Sequence, residues 1–197
     1  MLTAIVLAAG ASRRLGRPKQ LLSAGAEPLV VRAIGLGQAA AHGRVLVVVG
    51  AGRLRVRSVL RRRGIDAAIV CNPRWHNGLA SSLGTGLGRV DRRARGALIL
   101  LVDQAWLKPA DIERLVRHWR RHPNRPAAAS FEGRVGAPAI IPRRLFRTAQ
   151  RLEGDTGARQ LLRQFGELTA VAMPAAAFDV DTAEDAAALG RQRPGRR

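Results

Sequence analysis

The residues best equipped for chemistry in this chain are a cationic loop, two widely separated aspartates and an arginine near the C-terminus. The loop runs from Gly10 to Lys19 and carries Ser12, Arg13, Arg14, Gly16 and Arg17. Glycine lets the backbone bend tightly and bring N–H groups to an oxyanion, and the cations neutralise its charge. That chemistry is phosphate recognition, with an ordinary basic strand-to-helix loop as the plainer alternative. The spacing is not G-x-G-x-x-G, and no G-x-x-x-x-G-K-[ST] occurs, because Lys19 follows Pro18. Asp103 comes directly after the aliphatic run from Ala97 to Val102. A carboxylate there costs energy if buried unless a cation meets it, and a hard cation bridging phosphates asks for one or two carboxylates. A turn or helix-start aspartate is the plainer alternative. Further on, Thr182 and Asp185 have capping-box spacing, which accounts for both and leaves Asp181 over. Arg159 closes Gly154-Asp155-Thr156-Gly157-Ala158-Arg159. A cation at a helix start suits a second phosphate-bearing substrate, and a salt bridge to Asp155 is the alternative.

These groups need elements to position them. Apolar runs predict strands at Leu2–Leu7, Arg44–Val49, Ala67–Val70, Ala97–Val102, Ala127–Phe131, Thr169–Met173 and Phe178–Val180, with a hairpin and strand over Gly133–Ile141. Between them, helices are expected at Pro28–Ala41, Leu54–Arg63, Asn77–Val90, Pro109–Arg121, Arg143–Leu152, Ala158–Phe165 and from Thr182 to Leu189. Gly43 and Gly64 follow the first two of these helices as stop signals. Leu115, Val116 and Trp119 form the apolar face of the Pro109 helix. Such alternation implies an α/β fold with a mostly parallel central sheet flanked by helices, the Ala97–Val102 strand at its centre. The cationic loop then sits at the carboxyl end of the first strand, where open α/β sheets place nucleotide phosphates.

Composition narrows the function. The chain has 197 residues, enough for one core, and 47% of them are hydrophobic, which is ordinary for a globular protein. No run of about 18 apolar residues occurs, so no membrane span is expected, and the N-terminus has no basic region of a signal peptide. Cys71 is the only cysteine, which rules out an intramolecular disulfide and a cysteine-based metal site. A cytoplasmic protein is expected. The net charge of +20 invites a nucleic-acid reading, but 32 of the 34 basic residues are arginine, as a GC-rich genome would write them. They are scattered, and aromatics make up only 4% of the chain, so stacking platforms for single strands are scarce. Only Lys19 and Lys108 are lysines, and a compact ammonium at position 19 points to a point-charge requirement. The four histidines lack metal-site spacing, and none is assigned.

The loop from Leu7 to Leu22, LAAGxSxRxGxxKxLL, is similar to the signature of nucleotidyltransferases that activate small phosphorylated substrates with an NTP. The chain most resembles the molybdenum cofactor cytidylyltransferase group of MobA-like NTP transferases, over most of residues 1–190. Residues 191–197 are expected to be a basic disordered tail. The resemblance implies a single-domain, Rossmann-like nucleotidyltransferase fold. It implies that NMP passes from an NTP to a phosphorylated acceptor with release of pyrophosphate. Leu7, Ala8, Ala9, Gly10, Ser12, Arg13, Arg14 and Lys19 would then hold the nucleotide. So would Asn72 and either Ser81 or Ser82 of the NPxWxxGxxxS-like segment that starts at Asn72. Gly136 and Pro138, within a G-x-x-G-x-P match, and Asp155, Gly157 and Arg159, within a G-D-x-G-A-R match, would face the acceptor. Asp103 and Asp181, the latter within D-x-D-T-x-E-D, would share Mg²⁺, with Arg14 and Lys19 completing the catalytic set. The family has Asp-Gln-Pro where this chain has Asp103-Gln104-Ala105, so the rigid proline turn is missing. Leu7-Ala8-Ala9-Gly10, where guanylyltransferases carry LAGG, points to CTP as donor and molybdopterin as acceptor. Another NTP or another small phosphorylated acceptor is the alternative within the class. From a different class, the alternative is a non-catalytic basic nucleic-acid-binding module. A molybdoenzyme or its chaperone is a further candidate partner for the excess arginine.

Overall fold

A computed structural model describes residues 1–41, 44–154, 162 and 167–191. Asp155, Gly157, Arg159, all of the expected 158–165 helix except Leu162, and the 192–197 tail lie outside the described residues. Seven strands form the main sheet. β1 (Leu2–Ala8), β4 (Val45–Val49), β5 (Ala68–Cys71) and β6 (Gly96–Leu101) run parallel, with Val6 opposite both Val47 and Leu100. A two-stranded ribbon, β2 (Ser23–Ala24) and β3 (Glu27–Pro28), precedes the first helix. β7 (Ala127–Phe131), β8 (Arg134–Pro142) and β9 (Thr169–Ala172) complete the sheet in the order β5-β4-β1-β6-β8-β7-β9. The aliphatic strand β6 is therefore central, as its composition demands.

β8 alone runs against its neighbours, with Leu98 opposite Ile140 and Phe131 opposite Arg134. This reversal has a functional consequence. The amino end of β8 lies beside the carboxyl end of β6, so Gly136 and Pro138 come to the edge where β1 and β6 deliver their loops. β9, parallel to β7, sends the chain toward the same edge.

Alternation along the strands feeds two cores. One face carries Ala4, Val6, Leu98 and Leu100 beneath α1 (Leu29–Ala41), α2 (Arg53–Arg62) and α4 (Pro109–Arg121). The other carries Ile5, Leu7, Val48 and Ile99 beneath α3 (Leu79–Leu87) and α5 (Phe146–Ala149). In α4, Ile112 joins Leu115, Val116 and Trp119 on the buried face, and the Asp111 carboxylate accepts the Lys108 N–H at 3.0 Å. The last helix, α6 (Ala183–Arg191), has the expected cap: Asp185 accepts the Thr182 N–H at 2.8 Å, and Thr182 Oγ1 accepts the Asp185 N–H at 3.2 Å. No helix among the described residues is long and apolar enough to cross a membrane.

Two expected elements differ. The Arg143–Leu152 helix is a tight turn over Arg143–Leu145 followed by the single α-turn of α5. That suffices to bury Leu145, Phe146 and Ala149, and Gln150 and Arg151 carry nothing apolar to extend it. Phe178–Val180 is not a strand. Phe178 is exposed and lies against Trp106, and the Val180 N–H is spent on the Asp103 carbonyl at 3.0 Å instead of a strand partner.

Helix α3 approaches the sheet through Gly86. A Cβ there would stand 2.8 Å from Ile5 Cγ2 and 3.0 Å from Val48 Cγ2. Gly86→Val should therefore lower stability by about 1–3 kcal/mol through overpacking, measured by urea unfolding. An unchanged midpoint would show that α3 does not sit this close.

Candidate active site

The loop after β1 owes its shape to a neutral side chain. Gln20 is buried, and its Nε2 donates to the carbonyls of Ala8 at 3.0 Å and Gly10 at 2.9 Å. Ser12 Oγ accepts the Lys19 N–H at 3.0 Å and lies 3.5 Å from Gln20 Oε1. Ala51 N–H takes the remaining carbonyl, that of Ala9, at 2.9 Å. Drawing three consecutive carbonyls inward keeps their negative ends out of the space the loop encloses. Ser12 adopts a left-handed conformation (φ 55°) and Gly16 another (φ 70°), which folds the loop back to aim Lys19 across the sheet edge.

Lys19 Nζ meets Asp103 Oδ2 at 2.5 Å and Asp181 Oδ1 at 2.9 Å, and Arg14 Nη2 reaches Asp181 Oδ2 at 2.7 Å. The two aspartates, 14% and 32% exposed, thus converge on one ammonium that is 18% exposed, whereas Arg14 is 76% exposed. Burial alone would lower the Lys19 pKa. The charge of Asp103, then hydrogen bonds to Asp103 and Asp181, outweigh it and hold the ammonium above its ordinary value. At Asp181, burial pulls upward, but hydrogen bonding to and the charge of Lys19, followed by Arg14, bring the carboxyl below its usual range. Asp179 keeps an exposed edge. Partial desolvation, then the like charges of Asp103 and Asp181, push it up to about 6, against the opposing pull of Lys19 and Arg134.

Beside this cluster, at the carboxyl ends of β1 and β6, lies a cavity of about 360 Å³. Its charged wall includes Gly10, Arg13, Lys19 and Asp103, and its other wall includes Leu7, Ala9, Trp75, Leu79 and Ser82. Gly50 makes room for that second wall, since a Cβ there would lie 2.5 Å from Trp75 Cβ and 2.8 Å from the Ala9 carbonyl. Of the two candidate serines, Ser82 faces this cavity. Ser81 faces a separate one shared with Gln150, and it donates to the Arg74 carbonyl at 2.7 Å. Asn72 is turned inward: its Nδ2 donates to Ser81 Oγ at 2.7 Å and Ser82 Oγ at 3.1 Å, and its Oδ1 accepts the Arg74 N–H at 3.0 Å. Ala8 is buried beneath the loop.

Gln104 ties the start of β8 to this centre, donating to the carbonyls of Ala137 at 2.8 Å and Ala176 at 3.2 Å. The turn that lacks the family's proline is pinned from α1, where Arg32 donates to the carbonyls of Ala105 and Leu107, both at 2.7 Å. Sequence reasoning passed over Gln20, Asp179 and Trp75 as functional residues. The D-x-D alternation at Asp179 was the available signal, and it needed tertiary partners to be read.

The site has one conspicuous gap in its bonding. Asp103 Oδ1 is buried and has no hydrogen-bond partner among the described residues. Among these residues no three His, Cys, Asp or Glu side chains gather into a metal-holding group. A carboxylate pair with one unspent oxygen fits a hard cation that takes its remaining ligands from phosphate and water.

A profile of the MobA-like NTP transferase domain matches residues 4–170. The chain belongs to the MobA-like NTP transferase family, and it is an enzyme of nucleotidyltransferase type. It is 32% identical to nicotine blue oxidoreductase of Paenarthrobacter nicotinovorans, over 92% of this chain and 93% of that protein. Among solved structures it is similar to Rv0371c of Mycobacterium tuberculosis H37Rv, with a TM-score of 0.79 and 29% identity over 98% of this chain and 100% of that one. Rv0371c has also been crystallised with manganese; that structure matches at a TM-score of 0.76 and 27% identity, over 95% and 96% of the two chains. A nucleotidyl transferase of Methanothermobacter, 20% identical at a TM-score of 0.77 over 98% and 99% of the two chains, shares the fold.

The raised Asp179 pKa has a consequence for stability. Its contribution is fully present below the unfolded value of 3.8 and is lost as pH rises through about 6, because the fold then holds a third negative charge. Asp179→Asn should accordingly melt higher than the native protein above pH 7, and the advantage should shrink as pH falls below about 6. Equal differences at pH 4.5 and 7.5 would remove the like-charge account.

Proposed function

We propose that the protein transfers CMP from CTP to the phosphate of molybdopterin, releasing pyrophosphate, with Mg²⁺ held by Asp103 and Asp181. The observation that carries the reading is the convergence of Lys19, Asp103 and Asp181 beside a cavity walled by the phosphate-type loop. The acceptor phosphate oxygen attacks the α-phosphorus, a new P–O bond forms, and the bond to pyrophosphate breaks. A phosphate monoester is largely dianionic near pH 7, its second pKa being about 6, so the attack needs no general base. Catalysis is then positioning and charge neutralisation. Arg13 and Lys19 line the cavity to meet the triphosphate, and Arg14 sits outside them against Asp181. The divalent ion supplies further positive charge at the phosphates. Ala9 on the cavity wall, where guanylyltransferases carry glycine, supports a pyrimidine, since a side chain there would crowd a purine approaching that backbone. Gly136 and Pro138, with Asp155, Gly157 and Arg159, would receive the acceptor. A single, exposed cysteine agrees with a reducing, cytoplasmic setting. The arginine excess suits an acidic client such as a molybdoenzyme or its chaperone.

The 32% identity to nicotine blue oxidoreductase favours a second reading of the same cavity, in which the loop holds the pyrophosphate of a redox dinucleotide.

Thermal-shift titration with CTP, GTP, ATP, UTP and NADPH, each with and without Mg²⁺, separates these readings. A ligand at about 100 times its dissociation constant stabilises the fold by about 2.7 kcal/mol. A Mg²⁺-dependent shift with CTP is expected, followed by pyrophosphate release when molybdopterin is added. A shift with GTP or ATP would sink the base assignment, and a shift with NADPH alone would favour the redox reading. Salt-sensitive DNA or RNA binding without any nucleotide shift would point to the nucleic-acid module. Asp103→Asn should retain part of the nucleotide-induced shift and lose pyrophosphate release by at least about a hundredfold. Native-like turnover in that variant would exclude Asp103 from the mechanism.

A further inference from the structure

We infer that Lys19 occupies the cation place of this site when no divalent ion is bound, and that its ammonium yields Asp103 and Asp181 to an incoming ion and turns to the nucleotide phosphates. The inference rests on the nucleotidyl-transfer reading above. Lys19 Nζ lies 2.5 Å from Asp103 Oδ2 and 2.9 Å from Asp181 Oδ1, the position a cation takes between two carboxylates from separate segments. The ammonium satisfies the pair only in part, since Asp103 Oδ1 is buried without a partner. The same side chain also lines the cavity, beside Gly10, Ala11 and Arg13. A change of rotamer along its four-carbon stem therefore carries the charge from the aspartates to the phosphate wall while the loop stays fixed by Gln20. A compact ammonium on a flexible stem suits such a pivot, whereas a guanidinium would fork across both carboxylates and stay.

The exchange makes ion and nucleotide cooperative. The ion frees Lys19 for phosphate, and phosphate gives Lys19 a partner that offsets the loss of the aspartates. Each ligand then tightens the other by the same factor, as linkage requires. Without either ligand, the bridge neutralises a pair of carboxylates that the site must keep ready.

The chain's composition provides a clean test, because Lys19 and Lys108 are its only lysines and Lys108 is exposed. Lysine labelled with ¹⁵N at Nζ reports on both in the full native chain. In the metal-free protein Lys19 should give an exchange-protected ammonium signal. Saturating Mg²⁺ should shift or broaden that signal and leave Lys108 in place, and CTP added next should restore a protected Lys19 signal at a new position. A Lys19 signal unmoved by Mg²⁺ overturns the inference. As a second measurement, Lys19→Met, checked for folding by circular dichroism, should bind Mn²⁺ at least about tenfold more tightly without nucleotide, read from the free-ion EPR signal. It should also lose part of the tightening that CTP brings, the rest coming from phosphate ligands to the ion itself. Equal or weaker Mn²⁺ binding by the variant overturns the exchange. The two readings fail separately. Pyrophosphate release from a protein whose Lys19 ignores Mg²⁺ removes only the exchange. A Lys19 signal that answers Mg²⁺ in a protein that releases no pyrophosphate keeps the exchange and removes the transfer reaction.

Discussion

The bridge from Lys19 to Asp103 and Asp181 is the contact on which the arrangement of this enzyme turns. It joins residues 84 and 162 positions apart, from the first loop, the end of the central strand and the segment before the last helix. Each comes from a different part of the chain, so the ion pairs form only when the sheet is complete. Four adjacent parallel strands put their carboxyl ends at one edge, and the reversed β8 adds its amino end to the same edge. The sheet order thus gathers charges that the sequence scatters. Buried charge pairs contribute little net stability once desolvation is counted, so the cluster is better explained by what it holds ready than by what it adds to the fold.

Neutral side chains do the holding. Gln20 binds two carbonyls of the loop after β1 and Gln104 binds the carbonyls of Ala137 and Ala176. An amide can donate twice without adding charge, so it fixes backbone beside a charged site and leaves the electrostatics to Lys19, Arg14 and the aspartates. Arg32, although charged, performs the same service at the Ala105 turn, its Nε and Nη2 both donating to backbone carbonyls. The proline missing from that turn is replaced by a tertiary clamp, a local rigidity exchanged for a long-range one.

Much of this was legible in the sequence where one local signal sufficed. The run before Asp103 is so uniformly aliphatic that a central strand with a carboxylate at its end was readable, and Pro109 with Asp111 marked the start of α4. The capping pair Thr182 and Asp185 was equally plain. What escaped were groups whose meaning depends on a distant partner. Val180 has the look of a strand residue, but its N–H belongs to the Asp103 carbonyl. Asn72 reads as a nucleotide contact by resemblance, yet its amide is committed to Ser81, Ser82 and Arg74. It supports the cavity wall from behind, and the serine that faces the cavity is Ser82. Gln20 gives no local sign at all, because the carbonyls it binds acquire their direction only once the loop has closed.

Fold alone does not choose a reaction, since one scaffold hosts many, and a relative named as an oxidoreductase shares most of this chain's length. In the nucleotidyl-transfer reading, the charged wall of the cavity carries the Lys19 ammonium between two carboxylates. Here the chain's composition becomes a physical argument. It writes arginine at 32 of its 34 basic positions and keeps one of its two lysines where two carboxylates and the cavity wall lie within reach of a single side chain. A guanidinium would be held there by its planar fork. An ammonium, with donors around one small centre and a stem that rotates, can serve both walls in turn.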